Sequence, residues 1–332
     1  MMKTSITSTF RKIDKYLGLL ILLVLFLLLS GCDRKDSATP KIVEGQKNEQ
    51  NNPNVPADSN KEPIPTEVET EAVSADVLPI LDENGTTMDT RIHTPAGFTR
   101  IPSNDKELTG FLRSLKLKKS GSKVQLYNGK NKDYQEGHAA IFDLEIGDKD
   151  LQQCADSVIR IYAEYYWSIG AYDKIAFHLT NGFLMNYTKW RDGYRIKVNG
   201  NNVSWSKIET YDNSYEQFRK YLNSVFTYAG TLSLSKECKP VTLEEMLPGD
   251  MFLMGGSPGH CVLVVDIAEN MNGNRCYLLA QGYMPAQDFH ILKNPLHPED
   301  PWYYSSEITY PLETPQWTFE KDSLVRWRNF KL

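Results

Sequence analysis

A surplus of basic residues, paired cysteine motifs and long apolar runs are what this sequence has least of. Its 332 residues carry 37 basic and 42 acidic side chains, a net charge of −5. Nucleic-acid binding rests on basic surface, so this balance argues against DNA or RNA as a partner. Only 5 cysteines are present, Cys32, Cys154, Cys238, Cys261 and Cys276, and no two have CxxC spacing. That spacing excludes a zinc ribbon, and four scattered cysteines in so large a domain do not make a disulfide framework. A phosphate-binding glycine loop and an internal repeat are also missing. His138 and His178 stand apart from any carboxylate pattern, so neither a metal nor a cofactor is expected. The longest apolar run, Leu19 to Leu29, is short for a membrane span, which needs ~20 apolar residues.

What is there begins with that run. Lys3, Arg11, Lys12 and Lys15 precede it, and Leu29-Ser30-Gly31-Cys32 follows. A basic head, a short apolar core and small residues before a cut describe a secretory signal. The four residues resemble the bacterial lipobox, which implies cleavage before Cys32 and a lipid on its thiol. The expected partner of Cys32 is therefore a lipid bilayer, with the rest of the chain in the cell envelope, outside the cytoplasm. Asp33 resembles an inner-membrane retention signal of some bacteria; in others acidic residues here accompany surface export, so inner and outer membrane both stay open. Cleavage removes the four basic residues and Asp14, leaving 33 basic against 41 acidic residues, a net charge of about −8.

Between Cys32 and Phe98 there is no aromatic residue. A segment rich in Asn, Glu, Pro, Ser and Thr buries too little apolar surface to offset its ordering entropy. Residues 32–78 are accordingly expected to be a lipidated cysteine followed by a tether, with a reach of roughly 35–40 Å. Residues 79–332 are expected to form one α+β domain. Strands are predicted over 98–101, 138–144, 251–254, 261–267, 275–281 and 289–292. Asn272-Gly273 marks a hairpin turn between the longest two. Helices are predicted from Ser103 to Leu115, from an Asp150 cap to Ser168, and from an Asn213/Glu216 capping box to Tyr228.

The chemistry centres on Cys154 and His260. Leu247-Pro248-Gly249-Asp250, a short strand, a loop, and His260 opening a Val-rich strand resemble the second half of the papain-like NlpC/P60 and CHAP cell-wall amidases. In those families a helical cysteine lies upstream as nucleophile, and the order Cys154 then His260 fits. The resemblance implies a papain-like arrangement, a helix packed on an antiparallel sheet, and amide hydrolysis. A thiolate is the nucleophile, a helix N-terminus favours it, and a histidine takes and returns the proton.

For the third group, a hairpin loop over 269–274 sets Ala268 opposite Arg275 and His260 opposite Tyr283. Gln281 then lies on the same face. Gln281 or Tyr283 is the expected partner, with Gln287 and Asp288 in reserve. Asp266 shares that face but lies ~20 Å along the strand. With Asp150 as cap, Cys154 falls in the second half of the first turn, bordering the apolar face beside Val158. A buried structural thiol is therefore the competing reading. Cys261 faces away from His260 and reads as packing.

Gln152-Gln153-Cys154-Ala155-Asp156 and Leu279-Ala280-Gln281-Gly282-Tyr283-Met284-Pro285-Ala286-Gln287 together resemble a family of bacterial lipoproteins, domain of unknown function family 4846. That resemblance implies location and one folded unit, without an activity. Lys189-Trp190-Arg191-Asp192-Gly193-Tyr194-Arg195 mixes aromatic and basic groups. Trp190, Arg191 and Tyr194, with Tyr283, are candidates to line a groove for an acidic peptide or a sugar. Trp302-Tyr303-Tyr304 and Trp317-Thr318-Phe319 read as packing. Two functions follow: a membrane-tethered cysteine amidase or peptidase acting on cell-envelope peptide, or an envelope lipoprotein that binds a peptide or glycan without cutting it, including a degenerate amidase fold.

Overall fold

The computed structural model describes residues 78–329. The leader, Cys32 and the tether lie outside the described residues. Within them the chain is α+β, built on a nine-stranded antiparallel sheet. Its strands are β1 (Phe98–Arg100), β2 (His138–Ile141), β3 (Cys238–Pro240), β4 (Met251–Met254), β5 (His260–Asn270), β6 (Arg275–Gln281), β7 (His290–Leu292), β8 (Tyr303–Tyr304) and β9 (Leu324–Trp327). The order is β2-β7-β6-β5-β4-β9-β3, with β1 beside β5 and β8 beside β6. Four helices matter for the site: α1 (Leu108–Ser114), α2 (Cys154–Ser168), α3 (Tyr215–Tyr228) and α4 (Thr231–Glu237).

The sheet is covered on both faces, which is why β5 reads as an almost continuous apolar run. Cys261, Leu263 and Val265 join Val158, Ile161, Tyr162, Phe218 and Leu222 in a core that takes in α2 and α3. Val262, Val264 and Ile267 join Phe252, Tyr277, Leu279, Phe319 and Leu324 in a second core on the other face. The alternation slips once. Leu278 pairs with Asp266 but Leu279 pairs with Val264, so Val265 is bulged out. A bulge shifts every later side chain to the opposite face.

That slip corrects the predicted register in two ways. Near the turn Cys276, not Arg275, lies opposite Ala268, one residue from the prediction. Past the bulge the pairing Ala280 with Leu263 is the predicted one, because the two one-residue errors cancel. Asp266, predicted to share the face of His260, instead turns to the other side. There it is fully buried and ion-paired with Arg100 at 2.6 Å and Arg113 at 2.7 Å.

Helix starts differ from prediction wherever a polar side chain finds a better local use. Asn104 closes a turn on the Lys106 N–H, so α1 begins at Leu108 rather than after Ser103. Ser214 rather than Asn213 caps α3, its hydroxyl accepting from the Gln217 N–H. Asp150 does not cap α2. Its carboxylate accepts from the Ala286 N–H at 2.7 Å and the Gln153 side-chain amide at 3.0 Å. The cap is Gln153, whose own N–H is held by the Asp156 carboxylate at 3.1 Å.

Candidate functional site

The later start of α2 changes the position of Cys154. It is the first helical residue, not a member of the second half of the first turn. Its sulfur therefore sits where the unpaired N–H groups and the positive end of the helix dipole act most strongly. The Ala155 N–H donates to it. The two segments 150–157 and 281–287 meet here. A Cβ on Gly282 would stand 2.2 Å from Ser157 Oγ and 2.8 Å from the Gln153 carbonyl, so only glycine lets β6 run on past the end of α2.

His260, at the first position of β5, lies close enough to the Cys154 thiol to lower its pKa, and so does Cys261. The Cys154 thiol is pulled down to about 4. The hydrogen bond with Cys261 contributes most, burial opposes it, and the His260 hydrogen bond and charge add to the lowering. Cys261 moves the other way, well above an ordinary thiol, because it keeps its proton beside the Cys154 sulfur in a fully buried place. Of the two thiols, Cys154 is the one driven toward the thiolate and Cys261 the one driven to keep its proton.

The orientation of His260 follows from a chain of donors and acceptors. Burial and the charge of Lys132 pull His290 down to about 3, so its ring is neutral. Its Nδ1–H donates to the Asp288 carbonyl at 2.8 Å, which leaves Nε2 as an acceptor. The Gln281 Nε2 amide faces that atom at 3.4 Å and donates to Gln316 Oε1 at 3.0 Å. Gln316 Oε1 also accepts from the Lys132 ammonium. Gln281 must then turn its Oε1 to His260 Nε2, 2.7 Å away, and His260 Nε2 carries the proton. The imidazole's other nitrogen, Nδ1, is left as the acceptor for the thiol proton. Tyr283, Trp317 and Phe319 enclose the ring, with centroids at 4.9, 5.0 and 6.0 Å.

Cys154 lines a cleft of about 370 Å³, together with Asp150, Phe226, Gly230, Pro258 and Met284 among others. That is within the range of small-ligand sites. Cys154 is 5% exposed, and His260 and Gln281 lie behind it at 1% and 0%. Asp250, of the Pro-Gly-Asp turn, holds the turn together. Its carboxylate accepts from the Leu247 N–H and pairs with Arg326 at 2.6 Å. Asp156 beside Cys154 is pushed well up by burial.

The structure brings Cys154, His260, Gln281 and Tyr283 together. Gln287 and Asp288 stand elsewhere: Gln287 is buried, and Asp288 binds the Lys118 ammonium at 2.8 Å and the Gln125 N–H. The aromatic-basic segment is engaged with its own neighbours. Trp190 is 7% exposed, lies 4.1 Å beneath the Arg195 guanidinium and donates to Gln217. Arg191 stacks on Tyr172 and Tyr211, and Tyr194 on Lys207. Four contributors carried no sequence signal as site residues: Cys261, His290, Gln316 and Lys132. The Trp317–Phe319 segment, read as packing, also walls His260. Among the described residues no group of three or more His, Cys, Asp or Glu side chains is placed to hold a metal, and the four cysteines there are free thiols.

A family model, Domain of unknown function (4846), matches residues 88–326, which takes in Cys154, His260, Gln281 and the strands that carry the last two. No curated protein and no solved structure matches the chain.

Proposed function

The chain belongs to the domain of unknown function (4846) family, and from that starting point we propose that it is a papain-like cysteine hydrolase cleaving an amide in cell-envelope peptide. The observation that carries this reading is the convergence of Cys154 at a helix N-terminus with His260 and Gln281. His260 Nδ1 takes the thiol proton, the thiolate attacks the amide carbonyl, and the imidazolium returns the proton to the leaving amine. Gln281 keeps the ring in the tautomer this requires, the part that a third polar group plays in a triad. The free N–H groups of the first turn of α2 supply donors for the oxyanion.

The location belongs to the same proposal. The leader and Leu29-Ser30-Gly31-Cys32 support a lipid anchor at Cys32, and 32–78 serve as the leash. None of the described helices is long and apolar enough to cross a membrane.

The test is incubation of the purified chain with peptides released from cell wall, read by mass spectrometry. Cleavage by the native chain and its loss in Cys154→Ala and His260→Ala support the hydrolase. Cleavage that persists in Cys154→Ala sinks it. Binding of such peptides by both native and Cys154→Ala chains, without cleavage by either, favours the non-catalytic envelope module.

A further inference from the structure

Lys132 approaches the site from a loop that neither Cys154 nor His260 belongs to. Its ammonium donates to Gln316 Oε1 and stands 5.3 Å from the Tyr283 ring centroid and 5.9 Å from that of Tyr134. Tyr283 in turn lies against His260 at 4.9 Å and feels the charge of Cys154. One aromatic side chain thus separates Lys132 from the reacting pair. Tyr134 is 40% exposed, and Lys132, Tyr283, Gln316 and Trp317 are half-buried, so the group forms an open rim.

This ammonium is short of a partner. Burial alone governs it, pulling it down to about 8, and no carboxylate raises it again. Several other half-buried or buried cations find an acid: Lys118 has Asp288, Arg113 has Asp266, Arg326 has Asp250; Arg91 and Arg219 instead donate to backbone carbonyls, and Arg191 lies between two rings. A partly desolvated cation between two rings, fixed by an amide oxygen and facing the solvent rim, lacks its counter-charge.

We propose that Lys132, framed by Tyr134, Tyr283 and Gln316, is a subsite for a substrate carboxylate, so that the substrate is an acidic peptide with a carboxylate close to the scissile amide. The proposal rests on Cys154 being the nucleophile. A carboxylate here would complete the ion pair and lie in the ring-lined, low-dielectric rim, where a neutral amide gains no such attraction. Gln316 has two duties in this arrangement: its Oε1 aims the ammonium and also accepts from Gln281.

Two alkylating probes separate this from a merely structural role, N-iodoacetylglycine and its neutral analogue N-iodoacetylglycinamide. Both are applied to the folded chain, with adduct formation at Cys154 followed by mass spectrometry. The ratio of acid to amide rates should fall by about threefold or more in Lys132→Met, the size of a partly exposed ion pair. Lys132→Arg should keep the ratio, and Lys132→Glu should push it below that of Lys132→Met. Equal slowing of both probes in Lys132→Met, with the ratio unchanged, overturns the subsite and leaves Lys132 as a support for Gln316. A wild-type Cys154 whose rate with either probe rises with pH as the same thiol does in the unfolded chain overturns the nucleophile itself.

Discussion

Replacing His260 by alanine should move the titration of the Cys154 thiol, and the size of the move follows from its surroundings. Cys261 beside the sulfur lowers it most, the helix end supports it, and His260 lowers it through its hydrogen bonding and charge. Removing His260 leaves the first two. A hydrogen bond to a charged group is worth about 1.5–3 kcal/mol, and one unit of pKa corresponds to about 1.4 kcal/mol. The midpoint should therefore rise from about 4 by about one to two units. The assay is the rate of iodoacetamide addition at Cys154 across the pH range, read by mass spectrometry. Absolute rate is a poor guide. Near pH ~6 an ordinary thiol is only ~0.3% thiolate, yet a thiolate of such low pKa is weaker by about a hundredfold. Those two effects nearly cancel, so the shape of the profile decides. The native chain should react at a nearly constant rate from weakly acidic to neutral pH, where an ordinary thiol gains about tenfold per unit. A native midpoint near ~8.5 would refute the lowering of the Cys154 thiol, and a low midpoint that His260→Ala leaves in place would refute the part of His260 in it.

Further outcomes follow from other parts of the site and its frame. Cys261→Ala, which removes the largest lowering influence on Cys154, should also raise that midpoint, and an unchanged profile would show that the second thiol plays no part. Gln281→Ala should cut peptide cleavage by about 10–100-fold through loss of the His260 tautomer, with the fold intact by circular dichroism. Gly282→Ala places a methyl 2.2 Å from Ser157 Oγ, and thermal or urea unfolding should show a loss of about 1–3 kcal/mol. Asp266→Asn strips the shared partner from Arg100 and Arg113; a loss of about 3–5 kcal/mol is expected by denaturant titration, and a loss below ~1 kcal/mol would show that the pairs are not buried as described.

Much of this frame was legible because its signals are local. The Val-rich run after His260, the Asn272-Gly273 turn and the return strand gave the β5–β6 hairpin, and order along the chain gave Cys154 before His260. Gln281 was reached through a register that is wrong at the turn and right at the site, since the Val265 bulge restores the offset. No pattern in the sequence marks that bulge: Val264, Val265 and Asp266 look like any three residues of a buried strand. Helix starts were missed where Asp150 and Asn104 use their side chains on other backbone groups, a competition that propensity does not resolve. The Trp190 segment offers candidates for a groove, but its cations find their ring partners within the fold. Gln316 and Lys132 were out of reach altogether. They meet each other across 184 residues, and Gln316 meets Gln281 across 35, so no spacing rule connects them.

The bulge at Val265 has a consequence for how this chain tolerates change. His260 and Cys261 are neighbours on one strand, and a shift of a single residue exchanges the faces they occupy. If the site end of β5 slipped by one, a thiol would stand opposite Gln281 and an imidazole would press into the apolar core against α2. The unpaired residue absorbs such an error before it arrives. The half of the strand near Asn272 answers to the two arginines that clasp Asp266, while the half near His260 answers to α2. The two ends of the hairpin are thus anchored separately, one by the arginines on Asp266 and one by α2, with a single offset between them.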